Sequence, residues 1–393
     1  MKACRQKKKR PYSMQAKNKK IKWYTLIIVF FRSFFTSISI ILVLLLIASA
    51  YSDLISPEKY ILFAYLGLAF PILLFANICF LAYWLLTKKW LQTFILIAAF
   101  ALCWKPITVF CPLHLKTQIQ TQEDIIKVLS YNVMSFAYKD HTKESPNKII
   151  NYIAESGADI VCLQEYMVST PNNLMNSGDV AKALPMYPYI AEIIFSSTEN
   201  NRYKYGLAVF SKFPITKSQR IPFPSTYNGS SIHEINVRGR NVVVVNNHLE
   251  SFKLTAEDRS KYSDIITHAN LESFDDLRGS IQQKLGQAFK VRARQAEIIA
   301  GEIQKANGYS TIVCGDFNDT PISYSHRTVQ GPLADAFADT GFGMGISYNQ
   351  NFFLFRIDHI LHSTNMKAYN CSIDTRVKLS DHYPIYCYLK LNN

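Results

Sequence analysis

The chain has 393 residues, 49% of them hydrophobic and 18% charged, with a formal net charge of +14. The charge is unevenly spread: residues 1–120 hold 16 Lys/Arg and 2 Asp/Glu, whereas residues 121–393 hold 27 of each. A pI near 9.3 is therefore no sign of a basic nucleic-acid-binding domain, and eight scattered cysteines with no CxxC pair exclude a zinc knuckle. In chain order, residues 1–22 form a basic tail with ten Lys/Arg. Three apolar stretches follow, 33–51, 60–86 and 90–104, the last reaching residue 110 if Lys105 extends toward the interface. The first two are long enough for a bilayer of about 30 Å at about 1.5 Å per residue. The first exceeds a signal-peptide core and is followed directly by the second, which favours a retained anchor. Pro71 and Asn77 in the second stretch predict a kink and a helix contact.

Basic residues in the connections set the expected orientation: ten before the first stretch, Lys59 alone after it, and Lys88 with Lys89 after the second. That puts the tail and the Lys88–Lys89 turn in the cytoplasm. With three crossings, the remainder of the chain lies on the extracytoplasmic side of a cytoplasmic (inner) membrane, as a multi-pass protein. The predicted organisation is a basic cytoplasmic tail (1–22), a transmembrane region of three helices (23–111), a linker (112–122) and one large domain (123–393). No ionisable residue sits in mid-span, so nothing points to a transporter or channel.

From Glu123 onward, short runs rich in Val, Ile and Tyr alternate with amphipathic segments, the pattern of a mixed α/β fold. Strands are predicted at 126–131, 160–163, 206–211, 234–237, 241–246, 310–314, 355–361, 369–375 and 385–389, and helices at 145–156 and 281–307. In the second helix Leu285, Phe289, Ala296, Ile299 and Ile303 form an apolar stripe. Residues 251–280, polar and weakly periodic, read as an insertion near a site. Cys371 and Cys387 fall on neighbouring strands, so a disulfide is conceivable in an oxidising compartment, although free thiols are the favoured reading.

Most of the strands end in polar signatures: Ser130-Tyr131-Asn132, Leu163-Gln164-Glu165, Asn246-Asn247-His248-Leu249, Gly315-Asp316-Phe317-Asn318, Arg356-Ile357-Asp358-His359 and Ser380-Asp381-His382-Tyr383-Pro384. Tyr205-Gly206 opens a run, and Arg292 to Gln295 lie on the second helix. Carboxylates, carboxamides and histidines delivered from several strand ends are what metal-assisted phosphoester hydrolysis requires. Two-residue periodicity puts Asp316 and Asn318 on one face with Phe317 on the other, and pairs Asn246 with His248. Asp381 and His382 reach one site only if the chain turns there. Each signature has a plainer reading by itself: a packed or surface histidine, a solvated strand end at Glu165, a turn at Asp316 and Asn318, a solvated helix face at Arg292, Arg294 and Gln295. Their joint occurrence outweighs those readings.

In that order the motifs resemble the endonuclease/exonuclease/phosphatase superfamily, over about residues 123–393. The resemblance implies a four-layer α/β sandwich, two packed β-sheets flanked by helices, here preceded by an N-terminal transmembrane helical segment. It implies Glu165, Asn132 and Asp381 as metal ligands for Mg2+ or Mn2+. It implies His382 as general base oriented by Asp358, His248 at the phosphoryl oxygens or leaving group, Asp316 positioning the water, and Asn318 donating to the phosphorus centre. Where several family nucleases carry a carboxylate two residues after the motif asparagine, this chain has Met134, which narrows the number of metals. The expected function is a membrane-anchored, divalent-metal-dependent phosphodiesterase, with the lipid bilayer and a phosphoester (phospholipid headgroup or nucleic acid) as partners and no protein partner inferable. The alternative is a catalytically silent, membrane-tethered module that binds a phosphorylated ligand, which would be expected to lack at least one residue of the set.

Overall fold

A computed structural model describes the whole chain except residues 1–22, 120–123, 140, 143, 170–174, 199–200, 224, 226, 254–259, 261–271, 307, 349, 351–353 and 393. Most of the expected insertion at 251–280 lies outside the described residues. Twelve strands are found among the described residues: β1 (Ile125–Asn132), β2 (Ile160–Ser169), β3 (Tyr189–Ser197), β4 (Tyr203–Ser211), β5 (Ile215–Ile221), β6 (Gly229–Val237), β7 (Arg240–His248), β8 (Ser310–Asp316), β9 (Ala334–Asp335), β10 (Asp358–His362), β11 (Met366–Ile373) and β12 (Ile385–Leu391). They form two six-stranded sheets in the orders β11-β12-β1-β2-β4-β3 and β5-β6-β7-β8-β10-β9. Each sheet has one parallel pair at its centre, β1 with β2 and β7 with β8.

Alternation along the strands builds the layers. On β7, Val242 and Val244 point between the sheets while Val243 and Val245 point outward under a helix. The same alternation puts Ile126 and Val128 of β1 between the sheets and Leu129 and Tyr131 on the outer side. The outer helices are α6 (Lys148–Glu155) and α7 (Ser177–Ala183) on one side and α8 (Glu272–Lys305) with α9 (Tyr324–Gln330) on the other, with α10 (Ala336–Thr340) near β10 and β11. This is the four-layer α/β sandwich expected. The expected helix at 145–156 starts later because the Asn147 side chain caps it, accepting the Ile149 N–H. Strands β3, β5 and the two-residue β9 are not among the expected strands; all three lie at sheet edges, and partial exposure blurs the alternation of β3 and β5. Cys371 and Cys387 are both free thiols.

Ahead of the sandwich lie α1 (Trp23–Ala50), α2 (Ile61–Leu68), α3 (Phe70–Leu86), α4 (Trp90–Leu102) and α5 (Trp104–Phe110). Helix α1 is long and apolar enough to cross a membrane; the pairs α2/α3 and α4/α5 reach that length only as broken helices, bent by 59° and 64°. The second stretch is thus not one straight helix. Pro71, in the first turn of α3, can complete no backbone hydrogen bond to the preceding turn, and the chain bends just before it. Asn77 donates to the Leu42 carbonyl of α1 at 3.1 Å, joining the two helices.

The helical segment is fastened to the sandwich at several points. Arg327 of α9 pairs with Asp53 at 3.1 Å, Arg294 of α8 with Glu58, and Arg356 donates to the Val109 carbonyl at 2.5 Å. Ser52 donates to the Ile322 carbonyl at 3.5 Å. All four attachments come from the connection after α1 or from the end of α5.

Candidate active site

Strand register gathers the polar signatures at one end of the sandwich. His248 lies opposite Asp316 in the β7–β8 pairing, and Asp316 lies opposite Asp358 in the β8–β10 pairing, so three side chains stand in one row across the second sheet. The other sheet supplies Asn132 and Glu165 from the ends of β1 and the bulge of β2. That bulge decides where Glu165 points. The pairing of β2 with β4 shifts between Leu163 and Tyr166, and Glu165 adopts a φ of 49°, which turns its carboxylate into the cavity while Gln164 stays between the sheets. Gln164 donates to Ser130 Oγ at 3.1 Å and to Asn246 Oδ1 at 2.6 Å. Asn246 therefore shares a face with His248 but lies below the site, as part of a polar bridge between the sheets.

Gly315 lets the row close. Its φ is 131°, and a Cβ there would sit 2.0 Å from the Asn247 carbonyl oxygen. Beyond it, Phe317 is buried under α8 while Asp316 and Asn318 line the cavity. Asp316 Oδ1 accepts the Asn318 N–H at 2.8 Å, and the Asn318 amide donates to the Leu249 carbonyl at 2.9 Å. The chain turns at residues 380–382 rather than continuing as a strand. Ser380 Oγ donates to the Asn132 carbonyl at 2.8 Å, and both Asp381 and His382 face the cavity.

His382 Nδ1 lies 2.8 Å from Asp358 Oδ2, and its Nε2 lies 3.6 Å from Asp316 Oδ2. Burial disfavours a charged ring, but the Asp358 and Asp316 carboxylates outweigh it and hold His382 well above the usual histidine range. Asp316, itself buried, is pushed up to about 6, mainly by desolvation, with His382 acting in the opposite direction. His248 is lowered, chiefly by burial, although Asp316 partly opposes this. Asn132 donates to Glu165 Oε1 at 3.1 Å and to Asp316 Oδ2 at 3.0 Å, bridging the two carboxylates.

This donor set fits a hard divalent cation. Glu165, Asp316 and Asp381 supply carboxylate oxygens, whereas Asn132 turns its NH2 toward them and its Oδ1 accepts the Met134 N–H at 3.1 Å; a cation would relieve the desolvated charge of Asp316. His248 Nε2 stands 3.8 Å from Glu165 Oε1 and 3.7 Å from Asp316 Oδ2, too far for hydrogen bonds that would close the gap. Asp316, Asp358 and His382 bring their ligand atoms within 4.8 Å of one another. A second buried group of comparable spacing, His326, Asp335 and His359, lies away from this cavity. There the charge of buried Arg356 acts on Asp335 and opposes a cation, and Asp335 caps α10.

All eight residues expected at the site therefore lie at this end of the sandwich. Several supports were not read from the sequence. Ser347 Oγ accepts the N–H groups of Ile357 and Asp358 at 3.0 and 3.1 Å. Asn228 lies 3.3 Å from His248 Nε2 and donates to the Leu249 carbonyl at 2.9 Å. Arg292 is completely buried; it donates to the Glu250 carbonyl at 2.8 Å and pairs with Asp319 at 3.2 Å, tying together the loops that follow β7 and β8.

The family model described as Endonuclease/Exonuclease/phosphatase family matches residues 129–382, and a model described as a domain of unknown function matches residues 32–110. Among curated proteins none matches. Similar solved structures include an endonuclease/exonuclease/phosphatase from Beutenbergia cavernae DSM 12333, at 16% identity and TM-score 0.49, covering 69% of this chain and 72% of that one. Another is truncated Caenorhabditis elegans TDP2, at 16% identity and TM-score 0.45, covering 68% and 97%. A third is an endonuclease/exonuclease/phosphatase from Bacteroides vulgatus, at 17% identity and TM-score 0.46, covering 68% and 99%. With its matched region spanning both sheets and the strand ends that carry the site, this chain belongs to the endonuclease/exonuclease/phosphatase family.

Proposed function

We propose that the protein is a membrane-anchored, divalent-metal-dependent phosphodiesterase that uses Mg2+ or Mn2+. The observation that carries this reading is the convergence of Glu165, His248, Asp316, Asn318, Asp381 and His382 on one cavity, with Asp358 behind His382. Family members are phosphoesterases and nucleases, and all the residue types that the chemistry needs are retained.

In its neutral form His382 takes the proton of the attacking water at Nε2. Asp358 fixes the ring through Nδ1 and, with Asp316, steadies the imidazolium that results, as in a carboxylate-oriented histidine. Asp316 orients the water, His248 faces the leaving group, and Asn318 contributes an amide beside the phosphorus, where negative charge accumulates. Glu165 and Asp381 would hold the metal, joined by Asn132 once its carboxamide rotates to present Oδ1, and the metal when bound would neutralise phosphate oxygens as a Lewis acid. The overall reaction adds water across one P–O bond, yielding a phosphomonoester and an alcohol.

In this reading residues 1–22 are a cytoplasmic tail, 23–111 the membrane region, 112–122 a linker and 123–393 the catalytic domain, placed extracytoplasmically by three crossings. The contacts of Asp53, Glu58 and Val109 with the sandwich support that arrangement, since the charge asymmetry assigns both connections to the same side. Turnover of a chromogenic phosphodiester by the full chain, with and without Mg2+ or Mn2+, tests the activity. Labelling from outside intact cells of single cysteines placed at the exposed positions 59 and 88, in a variant with the native cysteines replaced, tests the orientation, with position 59 expected to react and position 88 not.

A further inference from the structure

The cavity that holds the site is linked to the apolar helical segment through two intervening aromatic rings. Tyr65 of α2 stands edge-on to Phe289 of α8 with ring centres 5.6 Å apart, and Phe289 stands edge-on to Phe252, again at 5.6 Å. Phe252 lines the part of the cavity that contains Glu165, His248, Asp316 and His382. The Tyr65 hydroxyl donates to the Gln282 carbonyl at 2.6 Å and lies 2.9 Å from where a Cβ at Gly286 would be, so a glycine permits the close approach of α2 to α8. Buried Arg292 places its guanidinium 4.4 Å above Phe252 and 5.0 Å above Phe289. Two ring-to-ring steps thus connect a helix of the membrane region with the reacting groups.

The mouth of the cavity, about 1100 Å³, is lined on another side by Tyr138, Tyr205 and Tyr227 with Ser225 and Asn228. Among its described lining residues the one lysine or arginine is Lys253, which is paired with Glu250 at 2.5 Å, while Glu165 and Glu250 bring negative charge. A nucleic acid gains affinity by exchanging counterions for several protein cations along its backbone, and the described residues of this mouth supply one, already paired. Aromatic faces beside carboxylates suit a small neutral or cationic group instead.

We infer that the substrate is a phosphodiester carried by a membrane lipid, with a small neutral or cationic head group, drawn from the leaflet beside the 51–60 connection. This rests on the phosphodiesterase reading above. Water adds to phosphorus and one ester P–O bond breaks; one water proton passes to His382, which returns it to solvent, and the departing oxygen takes a proton from solvent and leaves as an alcohol.

The test uses the full chain reconstituted with Mg2+ or Mn2+ in vesicles of phosphatidylcholine, phosphatidylethanolamine or phosphatidylglycerol, alongside bis(p-nitrophenyl) phosphate and single-stranded DNA. The expected result is phosphoester cleavage in the phosphatidylcholine or phosphatidylethanolamine vesicles at least tenfold faster than in phosphatidylglycerol vesicles or DNA. Tyr65→Ala is expected to slow lipid cleavage about tenfold while leaving the chromogenic diester within twofold. Cleavage of the chromogenic diester or DNA with all three lipids intact, or preference for phosphatidylglycerol, overturns the lipid inference and leaves the phosphodiesterase reading standing. Failure on every substrate removes both.

Discussion

Asp358 Oδ2 lies 2.8 Å from His382 Nδ1 although 24 residues separate them, because β10 begins at Asp358 and the turn ahead of β12 brings His382 beside it. Ser347 holds the backbone of Asp358 from behind. The pair leaves His382 Nε2 directed toward Asp316 and the cavity.

Replacing Asp358 with Asn removes the acceptor that fixes the ring and favours the tautomer with its proton on Nε2. Turnover of a chromogenic phosphodiester should fall by about 10² to 10⁴-fold, as should that of His382→Ala, with little change in Tm. Near-normal kcat in either variant contradicts the assigned roles.

Glu165→Gln keeps the shape of the side chain but removes its charge. Mn2+ affinity, measured by titration calorimetry on the full chain, should weaken by about tenfold or more, because a hard cation prefers the carboxylate. Unchanged affinity would move the metal away from the β2 bulge.

Much of this was legible because strand alternation and polar strand ends are local properties. Val242 to Val245 state both of their faces, and Asp316, Phe317 and Asn318 divide as spacing requires. What remained hidden depends on partners distant in sequence. Arg292 and Gln295 read equally well as a solvated helix face, yet both are buried because the loops after β7 and β8 close over α8. Arg294, from the same stretch, is exposed and instead reaches Glu58. The bulge that aims Glu165 is a matter of pairing between β2 and β4, which no local pattern encodes.

Arg292→Met should destabilise the sandwich, because it leaves the Asp319 carboxylate and the Glu250 carbonyl without their buried donor. Breaking a buried pair in this way costs about 3–5 kcal/mol, which for a domain of this size lowers Tm by roughly 2–4 °C per kcal/mol. Thermal unfolding followed by circular dichroism checks this, and an unchanged Tm rules out the clamp.

His233 gives a pH signature separate from the site. It is buried between Ser218 Oγ at 2.9 Å and Ser231 Oγ at 2.8 Å, and burial pushes its pKa down to about 4 from an ordinary 6.5. The unfolded chain then binds the proton more readily than the folded one, so this contribution is complete above pH 6.5 and is lost as pH falls through 4. Its size is about 3 kcal/mol, visible as a difference in pH-dependent denaturant stability between the wild type and His233→Gln. Parallel curves for the two proteins would refute it.

The most direct measurement of the central claim is hydrolysis of a chromogenic phosphodiester by the purified full chain, with Mg2+ or Mn2+ and with chelator, beside Glu165→Gln and His382→Ala. The account predicts turnover that requires the metal and is lost in both variants while each remains folded. Turnover that persists in chelator, or that survives either substitution, would contradict it.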